Sequence, residues 1–97
     1  MIPLLFDGTN YTDWKVFIKP FLQALDEEVW LAIKIDWKKP NEPPITWDDE
    51  KIKKANFNSR ALNALYIGVA NEEFIKISSI EIAKEAWTIL ETTCEGT

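Results

Sequence analysis

Between Tyr11 and Leu25 the apolar residues Trp14, Phe17, Ile18, Phe21, Leu22 and Leu25 recur at intervals of three and four. That period places six large side chains on one face of a helix and obliges the chain to bury that face. It returns at Ile52, Ala55, Leu62, Leu65, Tyr66 and Val69, and again at Ala83, Ala86, Trp87 and Leu90. No segment sustains the period-two alternation of a half-buried strand. The expectation is an all-α chain, a bundle of about five helices, with a short extended arm over residues 1–10. At 97 residues it is one domain.

Local signals divide the chain. Pro3 biases Ile2 away from helix, and Asp7-Gly8 signals a turn. Asn10-Tyr11-Thr12-Asp13 has the form of a capping box, and Pro20 predicts a kink near residues 16–20 of the helix that follows. Asp26 is the expected cap of a short helix carrying Val29, Trp30, Ala32 and Ile33. Pro40, Pro43 and Pro44 make residues 36–46 a proline-rich connector. Thr46-Trp47-Asp48-Asp49 reads as the cap of the longest helix, about residues 47–70. Its small residues Ala61, Ala64 and Gly68 would admit a close neighbour, and a glycine inside a helix, costing about 1 kcal/mol against alanine, calls for such a packing reason. Asn71 is the expected cap of a short helix through Ile77. Ser78 to Glu81, with Ile77 and Ile82, matches a capping box and staple for a last helix ending near Gly96.

The polar residues offer little chemistry. With no histidine and one cysteine, the chain lacks His-based acid–base catalysis, His-ligated zinc, Cys-rich metal sites and an internal disulfide. Its three glycines are scattered, so no phosphate-cradling loop is expected. Asp48-Asp49-Glu50, Glu27-Glu28 and Glu72-Glu73 each stand at a predicted helix start, where acids complement the dipole; this reading is preferred to a metal site. Cys94, between Glu91 and Glu95, lacks the electropositive surroundings of a reactive thiol. The expectation is a chain that is no enzyme and needs no cofactor. The net charge of −5 and the acids before Lys51, Lys53, Lys54 and Arg60 favour a solvated helix face over a phosphate track, so no direct nucleic-acid contact is expected. No apolar run approaches the ~20 residues of a membrane span, no signal peptide is recognised, and a cytoplasmic location is expected.

Binding or assembly is left. Trp14, Trp30 and Trp87 fall on apolar helix faces and are expected in the core. Trp37 and Trp47 flank the connector, where they either pin it to the bundle or present an aromatic patch to a partner. In the arm, Leu4, Leu5 and Phe6 either cover the core or leave a groove that a partner segment enters. These five residues are the candidate partner-binding set.

Strings in order along the chain carry a resemblance: Leu5-Phe6-Asp7-Gly8-Thr9-Asn10-Tyr11 with Trp14-Lys15, then Trp30-Leu31-Ala32-Ile33 and Ala61-Leu62-Asn63-Ala64-Leu65. Glu73-Phe74, Ala83-Lys84-Glu85-Ala86-Trp87, Leu90-Glu91 and Glu95-Gly96-Thr97 complete it. The chain resembles the Gag polypeptide of copia-type LTR retrotransposons, in the form common in plants. The resemblance implies a helical capsid lobe, the N-terminal of two, that helps form virus-like particles by contacts between Gag copies. It implies that the second lobe and the RNA-binding zinc knuckle are absent from this chain, and that the lobe alone is a monomer or weak dimer at micromolar concentration. The other reading is a Gag-derived module domesticated by a host to bind a peptide or partner protein. A third, nucleic-acid chaperoning through Lys51, Lys53, Lys54 and Arg60, is the least favoured.

Overall fold

The helices form where apolar period and capping chemistry coincide, and their boundaries show which polar residues do the capping. The computed structural model of the protein describes residues 4–35 and 37–95. It contains α1 (Tyr11–Leu25), α2 (Glu27–Lys34), a 3₁₀ turn (Pro44–Thr46), α3 (Asp49–Ile67), α4 (Asn71–Ile77) and α5 (Ala83–Glu95). The chain is a mostly helical five-helix bundle, and the described residues form no strand beyond one isolated bridge. Pro3, the Cys94 side chain and Gly96 lie outside the described residues.

The bundle closes around α1, α2, α3 and α5, with α2 packed on both α1 and α3, and α5 against all three. The expected face of α1 is buried at Trp14, Ile18 and Leu22, with Phe17 and Phe21 half-buried. At the centre sit five aromatic rings. Trp14 stacks on Trp87 at 5.3 Å, Phe6 lies 5.2 Å from Trp14, Tyr11 meets Trp87 at 6.1 Å, and Trp30 meets Trp87 edge-on at 5.7 Å. Such pairs add about 0.5–1.5 kcal/mol each beyond burial, which suits a small domain with a limited core. The three tryptophans expected in the core are all there.

Several boundaries correct the sequence reading, each for a physical reason. Asn10 makes no side-chain cap to α1. Its side chain is engaged upstream, accepting from the Asp7 N–H and donating to the Leu5 carbonyl. α1 is continuous through Pro20, whose ring is exposed. Asp26 caps α2 as expected, accepting from the Glu28 N–H at 2.9 Å. The cap of α3 is Asp48, not Thr46: Asp48 accepts from the Lys51 N–H, while the Thr46 hydroxyl donates to Pro43 inside the 3₁₀ turn. Ile52, at the start of α3, is exposed, because the core begins further along at Asn58. The helix ends at Ile67, so Gly68 is its C-cap rather than an interior residue, and Asn71 follows an Ala70 N-cap instead of capping α4.

The start of α5 is the largest correction. Ser78 belongs to the end of α4, where its hydroxyl donates to Ile75, so no capping box opens there. α5 begins at Ala83, and its first N–H is accepted by the Asn58 Oδ1 of α3 at 2.8 Å. The Asn58 Nδ2 donates to the Glu81 carbonyl at 2.6 Å. A buried side chain on one helix thus supplies the cap of another.

Candidate interaction surfaces

The arm is built by a short run of local hydrogen bonds. Asp7 Oδ1 accepts from both the backbone N–H and the hydroxyl of Thr9, and these bonds, the side-chain one first, hold the Asp7 carboxyl below its ordinary range. Gly8 turns the chain at φ +93°, a conformation that side chains disfavour. A Cβ placed there would lie 2.9 Å from Oε1 of Glu73, an acid that α4 buries to 4% exposure. Glu73 is held in turn by Lys76 at 3.1 Å.

This turn directs Phe6 into the core. Its backbone pairs with the segment after α3: the Phe6 N–H donates to the Gly68 carbonyl at 3.0 Å, and the Ala70 N–H donates to the Phe6 carbonyl at 2.9 Å. The indole N–H of Trp14 donates to the same Gly68 carbonyl at 2.9 Å, inside the core. Gly68 therefore serves as a shared acceptor for arm and α1, in place of the helix-interior packing role expected of it. Of the candidate residues in the arm, Phe6 is fully buried, Leu4 packs half-buried on the core and Leu5 is exposed. A partner reaches the Phe6 site only by displacing the arm.

Trp37 and Trp47 are brought together elsewhere. Both are half-buried and line an open cleft of about 520 Å³ between the connector, α3 and the loop from Ser78 to Glu81. The Trp47 indole N–H donates to the Glu42 carbonyl, and Lys51 bonds Glu42, so the connector is anchored on α3. The Glu42 hydrogen bond is the main reason that the Lys51 ammonium titrates above its ordinary range. Tyr66 forms part of the wall and donates from its hydroxyl to the Ile80 carbonyl, while Lys39 reaches Glu81 at 3.4 Å. No described residue of the arm lines this cleft.

The cleft offers aromatic faces, serine hydroxyls and one exposed ion pair. That inventory can hold a peptide segment by stacking and hydrogen bonding. Among the described residues, no three acids or cysteines converge as metal ligands. The acids at Glu27-Glu28, Asp49-Glu50 and Glu72-Glu73 stand in the first turns of α2, α3 and α4. No described helix is long and apolar enough to cross a membrane. Sequence reasoning passed over Asn58 and gave Tyr66 and Glu73 no site role; Asn58 and Tyr66 bond to segments distant along the chain, while Glu73 pairs with Lys76 on its own helix. Comparison with known proteins returns no matching family model, no matching curated protein and no matching solved structure.

Proposed function

We propose that the chain is a structural assembly domain, the capsid lobe of a copia-type Gag polypeptide that builds virus-like particles through repeated protein–protein contacts in the cytoplasm. The observation that carries this reading is where the residues behind the resemblance reside. Phe6, Tyr11, Trp14, Ala83, Ala86, Trp87 and Leu90 are core, and Asp7, Gly8, Thr9 and Asn10 form the turn that docks the arm. A sequence signature made of architecture rather than reactive groups suits a subunit whose product is shape. The surface also leaves Val16, Ile35, Ile45, Ile67 and Ile75 largely exposed, a supply of apolar area for weak, reversible contacts between copies. Negative-stain electron microscopy of the concentrated chain tests the proposal. Regular sheets or curved arrays that dissolve on dilution are expected, and amorphous or absent assembly at every concentration would count against it.

The second reading, a host-domesticated module that binds a peptide, is favoured by the Trp37, Trp47 and Tyr66 cleft. Saturable quenching of tryptophan fluorescence by a short proline-containing peptide, lost in Trp47→Ala, would support it. An unchanged spectrum with such peptides would set it aside.

A further inference from the structure

We infer that the groove between α1 and α3 receives the outer ridge of α2 from a second copy of the chain, so that copies join head to tail. The inference rests on the assembly reading and names its contact. The apolar stripe of α1 is buried at Trp14, Ile18 and Leu22 but emerges at Leu25, which is 51% exposed. There the core face overruns the core. Leu25 and Phe21 form one side of a groove of about 290 Å³, and Ala64 and Ile67 of α3 form the other. Such a surface is completed by covering it.

Charge indicates what covers it. Among the described residues, Arg60 is the single charged one lining the groove, and no acid lines it. Arg60 and Lys53 both hold their cations about 6.0 Å from the Phe57 ring, and neither forms an ion pair among the described residues. In a chain of net charge −5, Arg60 gives this mostly apolar groove one basic edge. A matching occupant brings apolar side chains with acids one turn away.

The outward side of α2 has that composition in its first two turns, with Lys34 at the far end holding its cation 5.5 Å from the Trp30 ring. Leu31 is 40% exposed and Ile35, just past the helix end, is 60% exposed. They are four residues apart, and Glu27 lies four residues before Leu31 on the same stripe, next to exposed Glu28. Neither glutamate forms an ion pair among the described residues. Groove and ridge share no residue, so the contact is heterologous: each added copy leaves one groove and one ridge open. The exposed ion pairs add little, so each contact is individually weak.

Two one-sided variants test this. Arg60→Glu disables the groove, and Leu31→Lys disables the ridge; both positions are exposed, and far-ultraviolet circular dichroism checks that each variant folds. Sedimentation velocity is run near about 1 mM, where contacts of about −4 kcal/mol are half-formed. The wild type is expected to associate, each variant alone to associate at least about tenfold more weakly, and their equimolar mixture to form a dimer that grows no further. The inference is overturned if either variant associates like wild type, if the mixture stays monomeric, or if the wild type never associates. It is also overturned if the groove takes an added acidic amphipathic peptide but never a second copy. Ordered arrays that persist in Arg60→Glu would sink the inference alone. A capped dimer from the mixture, with no array from wild type, would sink the assembly reading alone.

Discussion

Replacing Asn58 by alanine removes both ends of a bridge between α3 and α5. Asn58 is 3% exposed, so no bulk water stands ready to substitute. The Ala83 N–H loses its acceptor and the Glu81 carbonyl loses its donor. A buried backbone group left without a partner costs about 1–3 kcal/mol, and loss of a helix cap costs about 1 kcal/mol. These describe the same event at Ala83, so they are not summed; with the half-buried Glu81 carbonyl added, the expected loss is about 2–4 kcal/mol. Against a typical total of about 5–15 kcal/mol this is severe. Urea unfolding followed at 222 nm reads it as a midpoint lowered by roughly 1–3 M. Asn56→Ala, exposed on the same helix, should stay within about 0.5 kcal/mol of wild type. Asn58→Asp separates the two bonds. The introduced carboxylate still accepts from Ala83 but faces the Glu81 carbonyl as a second acceptor. Its folded pKa is therefore raised, and the variant should gain stability as pH falls through that raised value, the gain being complete near the unfolded value of about 4, because the protonated acid can donate again. A loss under about 0.5 kcal/mol for Asn58→Ala would refute the claim that this side chain caps α5.

Gly8→Ala should destabilise by about 1–2 kcal/mol in the same assay, because the new Cβ meets Glu73 and the backbone is left-handed. An unchanged midpoint would mean that the arm turns otherwise. Trp14→Phe keeps a ring in the core but deletes the donor to Gly68, so its thermal midpoint should fall by several degrees, with a loss of about 1–3 kcal/mol. The Asp7 carboxyl titrates below its ordinary value of 3.8, so its contribution is present above that pH and is lost as pH falls through its folded pKa. Carbon-detected nuclear magnetic resonance should find this shift in wild type and a smaller downward shift in Thr9→Ala, where the residue 9 backbone N–H still donates; an unshifted Asp7 in wild type would contradict the Asp7–Thr9 turn.

The fold class was legible because burial and helical period coincide in α1, α3 and α5. Capping was legible only where donor and acceptor are close in sequence and nothing else competes. Asp26 met that condition, and its cap is where the sequence placed it. Asn10 did not, since the arm's own backbone claimed its amide. Thr46 lost the cap to Asp48 because proline drew it into a 3₁₀ turn. Gly68 and Asn58 depended on segments distant along the chain, and no local pattern encodes a carbonyl shared by residues 6 and 14. Of the candidate site, only the position of Trp37 and Trp47 beside the connector was legible. The wall they face, at Tyr66 and residues 78–81, required tertiary structure. The α1–α3 groove was hidden for the same reason: the spacing that buries Leu22 gives no sign that the core ends before Leu25.

The proposed function stands on weak association of this domain with copies of itself. A sedimentation velocity series on the wild-type chain, from about 10 µM to about 1 mM, tests it most directly. A monomer is expected at the low end and a reversible, concentration-dependent rise in mass at the high end. A single monomeric species throughout, or a stable oligomer already present at the lowest concentration, would contradict it.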